Sequence, residues 1–206
     1  MINLFIEYYK DNSIERQKEL DYCINKNIEN HFIDYIYLLV NNIADIPFKS
    51  NRIFIINIKK RLTYNDFFKQ TNKFPTDINI LFNADIYFDN SIYKVNELLG
   101  DKQCFALLRY NIINNSMESK IFDNRSDSQD TWIFKGSIPV IEGADFNLGI
   151  GGCDNKIAYL LNNAGYKISN PCFILKTYHY HLTEKRNYSV LFKDILPPPY
   201  LLLNPI

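Results

Sequence analysis

The segment that most restricts the fold is Ile78 to Asp89, where an apolar run through Phe82 stops at Asn83-Ala84-Asp85. A short apolar run closed by turn-forming polar residues reads as a buried strand. In open α/β folds, ligands sit outside the carboxyl ends of the strands. Asn83 and Asp85 would then stand at the mouth of a sheet. A carboxylate there, with few basic residues beside it, suits a divalent cation carrying a phosphate ligand. That combination points to a nucleotide-diphosphate donor and to group transfer.

The chain of 206 residues is long enough to bury a full core. Lysine plus arginine equals aspartate plus glutamate, at 23 each, so no basic field exists to hold nucleic acid. Cys23, Cys104, Cys153 and Cys172 fall at wide spacings without a CxxC and read as buried thiols of a reducing compartment. No apolar stretch reaches membrane-spanning length and no basic-then-apolar leader opens the chain, so a soluble, cytoplasmic protein is expected. Aromatic residues make up 15% of the sequence. They suit an aromatic-rich core and surface, and equally a cleft that stacks rings.

Along the first half, strand and helix signals alternate. Leu4-Phe5-Ile6 opens a strand ending near Glu7-Tyr8-Tyr9. Ser13 is a suitable N-cap for a helix over 14–30, whose apolar residues recur at helical spacing. Ile33 to Val40 and Ile53 to Ile58 read as buried strands. Thr63 caps a helix that Pro75 closes, and Ile78 to Phe82 follows as the fourth strand. This is the rhythm of a parallel α/β sheet. The second half is less regular. It holds a short helix over 91–99, a strand over 104–109, a polar loop over 111–129 and an apolar segment at Trp132–Phe134. A glycine-rich stretch follows at 144–153, then a helix over 154–164 and a short strand at 166–169. No repeat or linker divides the chain, so residues 1–206 read as one domain.

Four constellations carry candidate chemistry. Asn83-x-Asp85 offers metal or donor ligands, although turn residues of this kind also follow strands for local reasons. Gly151-Gly152-Cys153-Asp154 ends a glycine-rich loop, where positive φ lets the backbone approach a ligand closely. Asp154 there is either a helix cap or a general base at the floor of a cleft. Tyr178-His179-Tyr180-His181 alternates on an extended segment, so both imidazoles share a face and can supply a metal ligand and a phosphate contact. Arg186 would clamp diphosphate oxygens. In Asp127-Ser128-Gln129-Asp130-Thr131-Trp132, either Trp132 plugs the core, or Asp130 sits beside a sugar and Trp132 is a stacking platform.

Taken together, these segments resemble the GT-A glycosyltransferases. Asn83-Ala84-Asp85 stands where that family keeps its DxD metal motif. Gly151-Gly152-Cys153-Asp154, with the helix to Ala164 and Gly165-Tyr166-Lys167-Ile168, is similar to the family's glycine–acid segment, helix and strand. His179 or His181 matches a late metal-binding histidine. The compact size resembles small virus-encoded capsid-protein glycosyltransferase domains. Two positions depart from the pattern: Asn83 replaces an aspartate and Cys153 a glutamate, with Asp130 the obvious substitute.

The resemblance implies a GT-A (Rossmann-like) domain with a mostly parallel central sheet flanked by helices. Residues 1–100 would form the nucleotide-binding half, and 101–206 a smaller, irregular acceptor half. It implies a UDP-sugar or similar donor met by Tyr8, Tyr9, Arg61, Thr63, Asn83, Asp85 and Arg186. Mn²⁺ or Mg²⁺ would be held by Asp85 with His179 or His181. Asp154, with Asp130, would serve an inverting displacement by the hydroxyl of a glycan or glycoprotein acceptor near Trp132 and Asn155. Two rivals are a nucleotidyltransferase and a decayed nucleotide-sugar-binding module. The first normally wants a glycine- and lysine-rich loop after the first strand, and Glu7-Tyr8-Tyr9-Lys10-Asp11-Asn12 has no glycine. Asn83 and Cys153 favour the second.

Overall fold

The computed structural model describes residues 1–183 and 195–206. At its centre is a seven-stranded sheet. The strands that open it are β1 (Ile2–Glu7), β2 (Tyr35–Val40), β3 (Ile53–Asn57) and β4 (Ile78–Phe82). All four run parallel, with β1 between β2 and β4 and β3 beyond β2 at the edge. In β1, β2 and β4 almost every residue is buried, as expected for parallel strands covered on both faces. β3 differs from the expected buried strand. It is an edge strand whose Phe54 and Ile55 are 46% and 43% exposed, because no described strand pairs with its outer side.

The helix α1 (Ile14–Glu29) returns the chain from β1 to β2 and is capped by the Ser13 hydroxyl at Arg16 N. Its Leu20 and Ile24 pack on one face of the sheet, together with Ile92 and Val95. Those two belong to a 3-10 turn, Asn90–Lys94, and a short helix α3 (Val95–Leu98). The opposite face is covered by α2 (Tyr64–Thr71) and α4 (Cys153–Asn163). A reciprocal capping box between Thr63 and Asp66 starts α2.

β6 (Gln103–Leu107), β9 (Thr131–Lys135) and β10 (Lys167–Ser169) complete the sheet. β9 lies antiparallel between β4 and β6. Thr131 is in register with both Phe82 and Leu107, so the start of β9 meets the carboxyl ends of its two neighbours. Residues 83, 108–109 and 130 therefore converge at one rim. That convergence is a consequence of strand direction and register alone.

A second sheet of four short strands stands beyond this rim: β5 (Ile86–Phe88), β11 (Thr177–His179), β7 (Tyr110–Ile112) and β8 (Ser119–Ile121), in that order. The expected loop over 111–129 thus contains a hairpin. Its turn is built by Asn114, whose Oδ1 accepts from Ser116 N at 3.1 Å and Glu118 N at 3.3 Å, with Met117 at φ 62. Strands of three residues leave too little alternation for their sequence to announce them. Among the described residues, no helix is long and apolar enough to cross a membrane.

Candidate active site

Pairing in the small sheet assembles the metal-type cluster. β11 runs antiparallel to β5 with His179 opposite Ile86, which sets the imidazole beside Asp85. Tyr180 N donates to Asp85 O at 3.0 Å, extending that pairing by one residue. His179 Nε2 lies 3.0 Å and His181 Nδ1 3.8 Å from Asp85 Oδ2. One ligand atom from each of Asp85, His179 and His181 falls within 4.8 Å of the others. The HxH alternation therefore places both rings on the side facing Asp85.

Three observations test whether this set suits a cation. Asp85 Oδ1 and His181 Nε2 are buried with no hydrogen-bond partner among the described residues. His179 Nδ1 is 3.3 Å from Asn111 Oδ1, and an amide oxygen only accepts, so the ring proton belongs on Nδ1. Facing the Asp85 carboxylate, Nε2 then carries either a second proton or a cation, and a cation there takes the neutral ring as its ligand. One carboxylate and two imidazoles form a mixed oxygen and nitrogen set, better matched to Mn²⁺ than to the strictly oxygen-seeking Mg²⁺. The residues fit a divalent metal.

The cluster already contains one fixed cation. Arg16, on α1, ion-pairs with Asp85 Oδ2 and, at 2.9 Å, with Glu19 Oε2. Burial opposes charge on Asp85, but His179 and Arg16 outweigh it and hold the carboxyl well below the usual carboxylate range. Arg16 and Glu19 carried no signal in the sequence beyond their i,i+3 spacing on a helix.

At the rim made by β4, β6 and β9, Asn83 does not face the metal-type cluster. Its Nδ2 donates to Asp130 Oδ1 at 3.0 Å, and Arg109 Nη1 donates to Asp130 Oδ2 at 2.6 Å. Arg109 Nε also reaches Asn111 Oδ1 at 2.8 Å, so Asn111 links this ion pair to His179. Asp154, at the start of α4, accepts from Gln129 N at 3.3 Å and from the Cys153 thiol at 3.2 Å. Burial first, and then the neighbouring Asp130 charge, push its carboxyl up to about 7, against the pull of Arg109. Arg109 feels Asp85, Asp130 and Asp154 together. The Asp85 cluster and Asp154 therefore lie on one side of the molecule, joined through Arg109. Beside Arg109 and the two histidines opens a cavity of about 550 Å³, lined by Arg109, Asn111, Phe122, His179, His181 and Leu182, among others.

Other expected ligands stand elsewhere or are already engaged. Trp132 is a correction: it is 2% exposed, edge-on to Tyr64 at 6.1 Å in the core, and presents no stacking face. Its place in the middle of a paired strand leaves only the core-plug role. Tyr8 is likewise 2% exposed, with its hydroxyl on Asp21 Oδ1 at 2.6 Å, and it fastens α1 to β1. Tyr9 is 39% exposed and stands close enough to Arg16 and Asp85 to feel both charges. Thr63 is occupied as the α2 cap, and Arg61 is tied to Leu148 O. Asn155 Nδ2 donates to Asp127 O at 3.3 Å, while its buried Oδ1 has no partner among the described residues. Arg186 lies outside the described residues.

The glycine loop also has a different cause from the expected ligand approach. Residues 195–206 pack against it: Leu196 N donates to Gly151 O at 2.9 Å and Leu201 N to Asn155 O at 3.0 Å. A Cβ on Gly151 would lie 2.9 Å from Ile195 Cγ1, and one on Gly152, at φ +76, 3.0 Å from Tyr200 Oη. The chain's own later segment makes the close approach.

Comparison with known proteins supports this architecture. No protein-family model matches the chain, and no curated protein matches it in sequence. Among solved structures it is similar to GalNAc-T7 with UDP, GalNAc and Mn²⁺ (TM-score 0.53, 11% identity, 87% of this chain and 43% of that one). It is also similar to the mannosyltransferase PcManGT from Pyrobaculum calidifontis with GDP-Man and Mn²⁺ (TM-score 0.52, 10% identity, 91% of this chain and 58% of that one). A third is 4-diphosphocytidyl-2C-methyl-D-erythritol synthase from Anaerococcus prevotii (TM-score 0.50, 12% identity, 91% of this chain and 92% of that one). The chain thus has the mixed α/β fold of the GT-A glycosyltransferases. It spans about half the length of the two glycosyltransferases.

Proposed function

We propose that the protein is a metal-dependent glycosyltransferase that moves a sugar from a nucleotide-diphosphate sugar, in particular a UDP-sugar, to a hydroxyl of a glycan or glycoprotein acceptor. The observation that carries this reading is the Asp85–His179–His181 cluster beyond the carboxyl end of β4. Asp85 and the two imidazoles would hold Mn²⁺. When bound, the metal supplies positive charge against the developing negative charge of the leaving diphosphate.

The chain's own residues account for the remaining steps. Tyr9 is exposed at the end of β1, on the side where a donor would lie. Asp154 takes the proton from the acceptor hydroxyl as that oxygen attacks the anomeric carbon. The new glycosidic bond forms as the sugar–phosphate bond breaks, and the nucleoside diphosphate departs with the bonding pair. A single displacement of this kind inverts the anomeric centre. The raised carboxyl of Asp154 suits a base near neutral pH. Asp130, held on both oxygens, shapes that base's electrostatics in place of taking protons itself.

One observation favours a second reading. Arg16 already neutralises Asp85, as would suit a nucleotide-sugar-binding module that no longer turns over. The nucleotidyltransferase reading gains nothing from residues 8–12, where Tyr8 is buried and no glycine frees a phosphate-binding loop.

A thermal-shift screen of nucleotide-sugars with and without Mn²⁺, followed by assay of released nucleotide, tests the proposal. A donor that raises the melting temperature only with Mn²⁺ and is then consumed supports it. Binding without turnover selects the module, and cleavage of a nucleoside triphosphate selects the nucleotidyltransferase. A flat screen across all donors rejects the transferase.

A further inference from the structure

Glu19 is a buried carboxylate that no step above uses. It is 5% exposed, as is Arg16. Its Oε1 accepts from Leu182 N at 2.7 Å and Thr183 N at 2.8 Å. Its Oε2 accepts from Thr183 Oγ1 at 3.0 Å and Arg16 Nη1 at 2.9 Å. Leu182 and Thr183 directly follow His181, past the last paired residue of β11. Their backbone donors find their acceptor on α1. The other arm of Arg16 ends on Asp85.

We propose that Glu19, acting with Arg16, is a positioning residue for the metal-type cluster. One turn of α1 grips the chain just after His181 with a carboxylate and grips Asp85 with a guanidinium. Two ligand-bearing segments remote in sequence are thereby held to a single rigid helix. This inference rests on the metal reading of Asp85, His179 and His181.

Energetics favour a positioning role over a stabilising one. Buried ion pairs add little net stability, because desolvation of both ions cancels most of their attraction. An apolar pair at 16 and 19 would pack against the sheet at no such cost. It would leave the donors of residues 182 and 183 without their carboxylate and Asp85 without its guanidinium partner. Groups that orient metal ligands typically change metal affinity by about 10–100-fold when removed.

The test uses the full chain, with Glu19→Gln and Glu19→Ala, and Lys18→Ala as a control on the same helix. Mn²⁺ binding is read from the free-ion electron paramagnetic resonance signal. The imidazole C–H resonances of His179 and His181 are recorded without metal, and the melting temperature reports folding. Glu19→Gln keeps the shape but turns an amide toward Arg16, so it guards against an alanine variant that fails to fold. The expected result is a 10–100-fold loss of Mn²⁺ affinity in the Glu19 variants, displaced His179 and His181 resonances, and wild-type behaviour of the control. Unchanged Mn²⁺ affinity and unchanged imidazole spectra, with only a lower melting temperature, would overturn the proposal and leave Glu19 a structural group. A wild-type protein that leaves the Mn²⁺ signal untouched overturns the metal reading itself.

Discussion

Arg109 and Asp130 form an ion pair, Nη1 to Oδ2 at 2.6 Å, whose carboxylate is closed on its other oxygen by Asn83 at 3.0 Å. Asp130 is thereby a fixed negative charge next to Asp154, whose carboxyl it helps to raise. Asp130→Asn removes that charge and frees Arg109 to act on Asp154. The Asp154 pKa then falls, and the acid limb of the pH–rate profile moves to lower pH. Initial rates measured between pH 5 and 9 check this.

Asp154→Asn should reduce kcat by about 10²–10⁴ while leaving the donor KM nearly unchanged, because a general base acts only in the transition state. Steady-state kinetics with the donor identified by thermal shift give both constants.

The same residue couples stability to pH. Its folded carboxyl sits at about 7, against about 3.9 in an unfolded chain. Between those values the folded state holds the extra proton, so Asp154's contribution is complete below pH ~4 and is lost as pH rises through 7. Other groups facing it, Asp130, Arg109, Cys153 and Tyr64, remain in both proteins compared. The melting temperature of Asp154→Asn relative to wild type should therefore climb between pH 4 and 8.

Asp85→Ala should abolish the Mn²⁺-dependent part of donor stabilisation. It also strands Arg16 beside Glu19, so some loss of melting temperature accompanies it. The diagnostic reading is the difference in donor-induced thermal shift with and without Mn²⁺, which should vanish.

Trp132→Ala should cost about 3–5 kcal/mol of stability, the range for emptying a buried indole site. Urea denaturation measures it. A stacking platform would instead change ligand binding and leave the unfolding midpoint nearly unmoved.

The parallel half of the fold was legible because its strands carry their own signal. Ile2–Glu7, Tyr35–Val40 and Ile78–Phe82 are buried on both sides and read as apolar runs. The nearness of His179 and Asp85 is legible only as a pairing of motifs, since it depends on three-residue strands that join across long sequence gaps. Trp132 was ambiguous for a similar reason. Its neighbours Tyr64 and Leu81 come together only when β9 inserts antiparallel between β4 and β6. Arg16, Glu19 and Arg109 carry no such signal, because isolated charges on a helix or after a strand look the same whether solvated or buried. The spacing of Asn83 to Asp85 suggests a donor ligand, yet its amide turns to Asp130, which only register reveals.

The packing of residues 195–206 against Gly151, Gly152, Asn155 and Ser126 has a temporal consequence. Chains emerge from the ribosome N-terminus first, and their early elements fold first. The parallel strands β1 to β4 can assemble while the wall behind Asp154 still lacks the layer that residues 195–206 supply. Asp154 would thus gain its packed surroundings only after residues 195–206 have left the ribosome, later than Asp85, His179 and His181 emerge.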